Sequence, residues 1–353
     1  MRNRHTGGTR QGRGPVRRSP GRASRFRLGA VMLTLIACSH STDRVGDGAA
    51  GALGEESPAR KNEPADALPR DVRVAPLAFA RDVDENSAAA ASVAHPGLVF
   101  TINDSGNDPE LFAFDTTGGD RGRWRIEGAM NRDWEAVAVG RCGPEHDAWC
   151  VYIGDVGDNA RRRPLVTIYR VAEPAPLAAG ERGSLRADVL IARYPDGAHN
   201  VEGMVIAPDG AVQLVTKELR RSGGRGPATT LVYELPARAW GGATPAEAVL
   251  VDSLPMPPDA VARTAVTDAA MTPDGTLLVV RTYARVLAYR LDSATARPLP
   301  GRPPARCDLA ALDEAQGEGV GILHQDERAV RLVLTSEGGH EPLRLATCPI
   351  PSR

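Results

Sequence analysis

The chain has 353 residues, of which 42% are hydrophobic and 25% charged, and this composition is typical of a folded protein rather than a disordered one. Nine of the 43 basic residues lie in the first 27 positions, which contain no acidic residue. The chain beyond residue 37 therefore has 34 basic and 44 acidic residues and a net charge near −10. Such an acidic chain is a poor match for a polyanion, and we expect no nucleic-acid partner.

An apolar segment follows the arginine-rich N-terminus. It runs from Leu28 to Ala37, which is too short to span a bilayer but suits a signal-peptide core. It ends in Leu35-Ile-Ala-Cys38, which resembles the lipobox of bacterial lipoproteins. The resemblance implies that residues 1–37 are a signal peptide and that Cys38 is acylated. The protein would then be anchored by lipid to a bacterial membrane, extracytoplasmically in the cell envelope. The alternative is an ordinary signal peptide with an incidental cysteine.

The segment after Cys38 differs in composition from the rest of the chain. Between Ser39 and about Ala67 it is rich in Gly, Ala, Ser, Glu and Pro and has almost no aromatic or β-branched residue. A segment of this kind buries too little apolar surface to offset its ordering entropy. We therefore predict a disordered tether over residues 38–70 and a folded domain over residues 71–353.

From Asp71 onward, short apolar runs alternate with turns, and one unit recurs. An acidic residue opens a strand, a turn such as Pro208-Asp-Gly210 follows, and a second and a third strand complete the unit. The acidic residues that mark the five repeats, at intervals of about 50, 67, 66 and 50 residues, are Glu85, Glu135, Glu202, Asp268 and Glu318.

Repeats of this length without a helical period predict an all-β fold, a β-propeller. Five blades are visible, and either long interval has room for a sixth. Asp71 to Ala80 is strand-like, and we expect it to supply the outer strand of the last blade and so close the ring. A β-sandwich is the alternative fold, although it does not explain the regular repeat. We expect a monomer.

If Cys38 carries lipid, four cysteines remain, an even number in an oxidising compartment. Cys142 and Cys150 flank a short polar loop between two strand-like runs, so a disulfide across that hairpin is predicted. Cys307 and Cys348 are then left to pair with each other. A zinc site is the alternative, but no CxxC spacing supports it.

Acidic residues recur at the start of the first strand and the end of the second strand of each repeat. Neighbouring strands are about 5 Å apart, so these residues are expected to meet at one mouth of the central channel. Converging carboxylates stay ionised only if cations compensate them, and calcium accepts several oxygens at flexible geometry. We therefore predict calcium or another divalent cation as cofactor. Its predicted ligands are Asp104, Glu135, Asp155, Asp158, Glu202, Asp268, Glu318 and Glu337. The alternative is that the loops Asp104-Ser-Gly106 and Asp155-Val-Gly157 use their acids to cap β-turns.

Three further polar residues, Lys217, Glu218 and Arg281, fall in the same part of the repeat. They are predicted to bind a small-molecule or protein ligand at the channel mouth, and the alternative is that the two cations form salt bridges with the acids. His199 is either a general base or a solvated loop residue. The run Arg161 to Arg163 is expected to be a solvated face.

The motifs of the repeats resemble a family of exported bacterial β-propellers without an assigned activity. The motifs that carry the resemblance are Asn103-Asp-Ser-Gly106, Asp133-Trp-Glu-Ala136, Tyr152-Ile-Gly-Asp-Val-Gly-Asp-Asn159, Arg281-Thr-Tyr283, Gln316-Gly-Glu318 and Ser336-Glu-Gly338. More distantly, the Glu-Gly motifs are similar to those of phytase-like and gluconolactonase-like propellers, which bind calcium in the channel and hydrolyse phosphate esters or lactones. Two hypotheses follow, a cation-binding propeller that acts as a binding or scaffold module, or a calcium-dependent hydrolase of phosphoesters or lactones. The sequence leaves open whether the protein is an enzyme.

Overall fold

The computed structural model describes residues 66–221, 228–257 and 261–352, and all of them belong to one compact unit. Up to residue 221 the strands are β1 (Arg70–Ala75), β2 (Asn86–Ala91), β3 (Leu98–Asn103), β4 (Glu110–Asp115), β5 (Asp120–Glu127), β6 (Trp134–Arg141), β7 (Trp149–Asp155), β8 (Val166–Ala172), β9 (Arg182–Arg186), β10 (Asp188–Arg193), β11 (Val201–Ile206), β12 (Val212–Thr216) and β13 (Arg220–Arg221). The strands of the remainder are β14 (Ala228–Leu235), β15 (Ala246–Glu247), β16 (Val249–Pro255), β17 (Val266–Met271), β18 (Leu277–Thr282), β19 (Arg285–Asp292), β20 (Arg297–Pro298), β21 (Ala305–Asp308), β22 (Gln316–Gln325), β23 (Ala329–Glu337) and β24 (Leu343–Pro349). One helical turn, α1 (Val261–Thr264), and two 3-10 turns, Ala237–Ala239 and Ala310–Leu312, complete the elements.

The strands form five sheets, and each sheet is one blade of a β-propeller. From the channel outward, the antiparallel strands are β2-β3-β4-β5 in blade 1, β6-β7-β8-β10 in blade 2, β11-β12-β14-β16 in blade 3, β17-β18-β19-β21 in blade 4 and β22-β23-β24-β1 in blade 5. Blades 1 and 2 add β9 and β15 in parallel at their outer edges. The predicted propeller is confirmed. The two long repeat intervals hold additional outer strands, and the described residues form five blades rather than six.

The ring closes through its first strand, as the sequence predicted. β1 pairs antiparallel with β24, so that Val74 lies opposite Arg344, and the N-terminal strand completes the last blade. The ordered fold also begins before residue 71. Asp66 accepts ion-paired hydrogen bonds from Arg285 and Arg306 on β19 and β21. These contacts fix the start of the domain to blade 4.

Small residues line the inner strands and let the five blades approach the axis. A Cβ added to Gly203 would lie 2.9 Å from the Cβ of Ala269 in the next blade. A Cβ added to Gly319 would lie 2.3 Å from Thr335 Oγ1 and 2.6 Å from Ala89 N. Neither approach is compatible with a larger side chain, so the glycines of the Glu-Gly motifs serve the packing of neighbouring blades.

Apolar clusters fill the spaces between adjacent blades. One cluster joins blades 1 and 2, and it includes Trp134, which is fully buried. Four further clusters of similar character lie between the other pairs of neighbours around the ring. Burial of this apolar surface is the main stabilising contribution to the ring.

Both predicted disulfides are present. Cys142 pairs with Cys150 across the β6–β7 hairpin, and Cys307 pairs with Cys348 between blades 4 and 5. The predictions for the signal peptide, for acylated Cys38 and for most of the tether lie outside the described residues. Within the described ranges, no helix is long and apolar enough to cross a membrane.

Candidate functional site

A β-bulge recurs at the start of the inner strand of every blade. In blades 1 to 4 the pairing between the first and second strands shifts register directly after the first pair, and in blade 5 it shifts after the second pair. The shift leaves one residue unpaired in blades 1 to 4 and two in blade 5, and these residues are Ser87, Glu135, Glu202, Thr267, Glu318 and Gly319. Bulges redirect side chains and are frequent beside functional sites. Here they bring three glutamates and two hydroxyl residues to equivalent positions at one end of the channel.

A second set of side chains follows the ends of the second strands. In blades 1 to 4 each comes directly after the residue paired with the start of the inner strand, and in blade 5 Glu337 is itself paired with Gln316 at that start. The set consists of Asp104, Val156, Lys217, Tyr283 and Glu337. Together with the bulge glutamates and Asp133, the polar members form a site that we call the acidic mouth. Its residues are Asp104, Asp133, Glu135, Glu202, Lys217, Tyr283, Glu318 and Glu337. Six of these eight side chains are acids and one is basic.

Three carboxylates of the acidic mouth lie close enough to share one cation. Asp104 of blade 1 and Asp133 and Glu135 of blade 2 each offer an oxygen, and these oxygens all lie within 4.8 Å of one another. We call this group the carboxylate triad. Glu135 is buried and also accepts a hydrogen bond from Ser87 Oγ at 2.7 Å. The triad therefore spans the boundary between two blades.

Burial and mutual repulsion raise the pKa values of Asp133, Glu135 and Glu337. Burial, followed by the charge of Asp104, raises the pKa of Asp133 to about 6. Burial, followed by the charges of Glu202 and Asp104, raises the pKa of Glu135 well above its usual value. Burial, followed by the charge of Asp104, also raises the pKa of Glu337. Full ionisation of these carboxylates is therefore unfavourable unless a cation compensates their charge.

The opposite side of the mouth contains its basic residue. Lys217 Nζ donates to Glu202 Oε1 at 2.8 Å and lies 5.4 Å from the centre of the Tyr283 ring. Burial lowers the pKa of Lys217, but the Glu202 carboxylate more than offsets this and the net pKa is raised. Burial raises the pKa of Glu202 to about 7 despite this partner. One lysine thus compensates only part of the acidic charge.

Among the acids of the mouth, Glu318 is the clearest example of a carboxylate whose buried charge is not compensated. Its side chain is only 5% exposed, and Oε1 accepts a hydrogen bond from Gln316 Nε2 at 2.7 Å. The other oxygen, Oε2, is buried and has no hydrogen-bond partner among the described residues. Burial, followed by the charge of Glu202, raises the pKa of Glu318 to about 8. A buried oxygen of this kind requires a proton, a water or a cation.

Asp268 was expected among the metal ligands, but its oxygens are already occupied. The register of blade 4 places Thr267, not Asp268, at the bulge position of Glu135 and Glu202. The Asp268 carboxylate is fully buried and accepts N–H groups of three blades. The donors are Ala89 at 3.1 Å, Val320 at 2.7 Å and Ala269 at 2.7 Å. Asp268 therefore joins inner strands across the channel.

Asp155 and Asp158 were also expected to bind the cation, and the structure gives both of them partners within blade 2. Asp155 is buried and forms an ion pair with Arg163 at 2.7 Å. Asp158 Oδ2 accepts the backbone N–H groups of Arg162 and Arg163, both at 2.6 Å. Asp158 thus has the turn-capping role considered as the alternative, and Arg163 is buried rather than part of a solvated face.

Arg281, expected to bind a ligand, is fully buried between blades 4 and 5. Its Nη1 donates to the carbonyl oxygens of Gly319 at 2.6 Å and Thr335 at 2.9 Å, and its Nη2 pairs with Glu314 at 2.5 Å. A Cβ on Gly317 would lie 2.1 Å from the guanidinium. The glycine of the Gln316-Gly-Glu318 motif therefore makes room for Arg281.

Glu218 and His199 belong to a separate, partly buried network. His199 Nδ1 bonds Glu218 Oε1 at 2.6 Å, and Nε2 bonds Asp196 Oδ1 at 3.0 Å and the Tyr233 hydroxyl at 2.8 Å. Burial lowers the pKa of His199, but the hydrogen bonds to Glu218 and Asp196 outweigh this and raise it overall. With both ring nitrogens engaged, His199 has no free lone pair to act as a general base, and Glu218 is committed to it.

Asp133 is the one acid of the mouth that the sequence did not mark as a ligand. It belongs to the motif Asp133-Trp-Glu135, whose alternate residues lie on the same side of an extended chain. The sequence signal for Asp133 was therefore its position two residues before Glu135, a predicted ligand. Of the predicted ligands, the structure brings together Asp104, Glu135, Glu202, Glu318 and Glu337, together with Lys217.

No protein-family model and no curated protein matches the chain. Solved structures resemble it in fold. The chain is 12% identical to the Dos1 propeller, with a TM-score of 0.32 over 73% of this chain and 57% of that one. It is 10% identical to the holo PQQ domain of pyranose dehydrogenase from Coprinopsis cinerea, with a TM-score of 0.39 over 80% and 99% of the two chains. It is 8% identical to an auxiliary nutrient binding protein from Bacteroides thetaiotaomicron, with a TM-score of 0.38 over 75% and 69%. At these values the similarity concerns the fold alone.

Proposed function

We propose that this protein is a lipid-anchored, extracytoplasmic binding module whose acidic mouth holds calcium or another divalent cation. The observation that carries the proposal is the carboxylate triad of Asp104, Asp133 and Glu135, whose oxygens lie within 4.8 Å of one another. Carboxylate oxygens are the ligands that calcium prefers, and the ion tolerates irregular geometry. A cation shared by two blades would also couple binding to the stability of the ring.

A cation explains the mouth better than hydrogen bonding alone. Six acids face one lysine there, and the pKa values of Glu202 and Glu318 rise to about 7 and about 8. Without a cation these groups would take up protons near neutral pH. Three triad carboxylates would fill only part of the six to eight positions that calcium uses, so water or an oxygen of a bound ligand would complete the coordination. This open coordination favours a binding role.

The location rests on the sequence and on the disulfides. The segment ending in Leu35-Ile-Ala-Cys38 supports export and acylation of Cys38. Two disulfides, Cys142–Cys150 and Cys307–Cys348, suit an oxidising compartment. Replacement Cys38→Ala is expected to move the protein from the membrane fraction to the soluble fraction of the producing cell. Retention of this variant in the membrane fraction would contradict the anchor.

Calcium-dependent hydrolysis of phosphoesters or lactones stays a prediction without a supporting contact. His199, the residue considered as a general base, has both ring nitrogens bonded to other groups. A screen with phosphoester and lactone substrates, with and without calcium, tests it. Turnover that requires calcium and is lost in Asp133→Asn would replace the binding role with a catalytic one.

Thermal unfolding tests the cation site in the purified chain. An ion that binds the folded state alone stabilises it by about 2.7 kcal/mol at a hundredfold excess over Kd. That corresponds to a rise of several degrees in Tm for a domain of this size, roughly 2–4 °C per kcal/mol. We expect calcium to raise and a chelator to lower the Tm. The shift should be lost in Asp133→Asn and kept in the matched control Asp147→Asn, whose side chain is fully exposed. Equal calcium shifts in the two variants would exclude the triad.

A further inference from the structure

The channel contains a second cavity, at the end opposite the acidic mouth. Each inner strand begins at the mouth, and residues from the middle or the end of all five inner strands line a cavity of about 450 Å³. This volume is within the range of small-molecule sites, about 300–1,000 Å³. The bonds from Ala89 and Ala269, which line the cavity, to the Asp268 carboxylate place that side chain between the cavity and the mouth.

The wall of this cavity is mainly apolar. Every blade contributes apolar side chains to it, among them Ala91, Val139, Ile206, Met271 and Leu323. Four of these are only partly buried, the exception being Ile206 at 6% exposure. Apolar surface that remains in contact with water gains about 25 cal/mol per Å² when a ligand covers it. An apolar occupant therefore has a driving force here that it lacks at the acidic mouth.

One polar group in the wall lacks a partner. Gln325 lines the cavity, and its Nε2 donates to Thr276 Oγ1 at 3.2 Å. Its Oε1 is buried and has no hydrogen-bond partner among the described residues. The pairing of β22 with β23 shifts register between Ile322 and His324, just before Gln325, and a bulge of this kind redirects the side chains that follow it. A buried carbonyl oxygen without a donor is costly unless a ligand or water supplies one.

We propose that this cavity binds a small apolar molecule that carries one N–H or O–H donor. The apolar wall covers the body of the molecule, and Gln325 Oε1 accepts its donor. Because the cavity shares no residue with the acidic mouth, this site works independently of the cation. Binding here is therefore expected with and without a chelator.

Fluorescence titration of the purified full-length chain in detergent-free buffer tests the proposal, with N-phenyl-1-naphthylamine as probe. This molecule is apolar and carries one N–H, and it becomes fluorescent when it leaves water. We expect a saturable increase with one probe per chain. Ala91 lines the cavity and belongs to none of the apolar clusters, so Ala91→Phe should fill the cavity and weaken binding at least about tenfold. The control Ala178→Phe, at an exposed position, should bind as the parent does.

A second pair of probes tests the role of Gln325. Gln325→Leu should weaken binding of N-phenyl-1-naphthylamine roughly fivefold, which is the loss expected for one hydrogen bond. It should leave the affinity for 1-phenylnaphthalene unchanged, because that molecule has no donor. If Ala91→Phe fails to fold, judged by circular dichroism, Ala91→Leu takes its place. The proposal is overturned if the parent chain gives no saturable signal. It is equally overturned if a folded Ala91 variant binds the probe as tightly as the parent, or if Gln325→Leu affects the two probes alike.

Discussion

Arg281 provides a sharp test of how the ring is held together. Its guanidinium is fully buried, pairs with Glu314 at 2.5 Å and donates to the carbonyl oxygens of Gly319 and Thr335. The substitution Arg281→Met keeps much of the side-chain volume but leaves a buried carboxylate and two carbonyl oxygens without their donor. Removing one partner of a buried ion pair lowers the free energy of unfolding by about 3–5 kcal/mol. At 2–4 °C per kcal/mol, the Tm should fall by on the order of 10 °C.

Urea unfolding of matched variants measures this cost. Arg281→Met should lose about 4 kcal/mol, whereas Arg125→Met, at an exposed position of β5, should lose less than about 0.5 kcal/mol. The double variant Arg281→Met/Glu314→Gln removes the stranded charge and should regain about 2 kcal/mol of the loss. A role of Arg281 in ligand binding predicts little change in stability. An Arg281→Met chain as stable as the Arg125→Met control would therefore refute the structural role.

Three further predictions concern pH and covalent links. In chelator, Glu202 and Glu318 have raised folded-state pKa values, so the folded state binds more protons than the unfolded state between about pH 4.5 and 8. Stability should therefore fall as pH rises through this window, and calcium should flatten the slope of Tm against pH. The pKa of His199 is also raised, and because histidine is charged when protonated, its ion pairs stabilise the folded state fully below about pH 6.5. This stabilisation is lost as pH rises through the folded-state pKa. The substitution His199→Gln should thus destabilise more at pH 6 than at pH 9, and equal losses at both pH values would contradict the ion pairs. Removing Cys307–Cys348, which spans 41 residues, should cost about 1.5 kcal/mol more than removing Cys142–Cys150, which spans 8, as urea unfolding of the two double Cys→Ser variants would show.

Patterns that depend on neighbouring residues were predictable from the sequence. The alternation of short apolar runs and turns predicted the blades, and the strand-like segment after Asp71 predicted the closing strand β1. Both disulfides followed from a short hairpin loop and from the four cysteines that remain when Cys38 is set aside. These features follow from period-two strands, turn residues and loop lengths, all of which are local.

The positions that the sequence misjudged depend on register. A bulge adds one residue to the inner strand, so an alignment by acid type placed Asp268 where the structure has Thr267. Asp155 meets Arg163 across a turn, and Arg281 meets Glu314 from another blade. The sequence predicted instead a metal ligand at Asp155, a solvated residue at Arg163 and a ligand-binding residue at Arg281. No spacing rule reveals such pairs, because each depends on how two blades or a loop pack in three dimensions.

Asp133, in contrast, was predictable from a local rule, the alternation of side chains along an extended strand. It precedes Glu135 by two residues, so that the two carboxylates lie on one side of the strand entrance. The contribution of Asp104 from blade 1 is not local, since 29 positions separate it from Asp133. The local rule therefore accounts for two of the three triad carboxylates, and the closed ring brings the third, Asp104, beside them.

Counting bound calcium tests the cation site most directly. The full-length chain, freed of metal with a chelator, is dialysed to equilibrium against radioactive calcium at pH 7.5, together with Asp104→Asn, Asp133→Asn and the control Asp147→Asn. We expect saturable binding of calcium to the parent and to the control, and at least a tenfold weaker affinity in each of the two triad variants, because each removes one of three charged ligands. Absence of saturable calcium binding by the folded parent chain, or equal binding by all four proteins, would contradict a cation site at the acidic mouth.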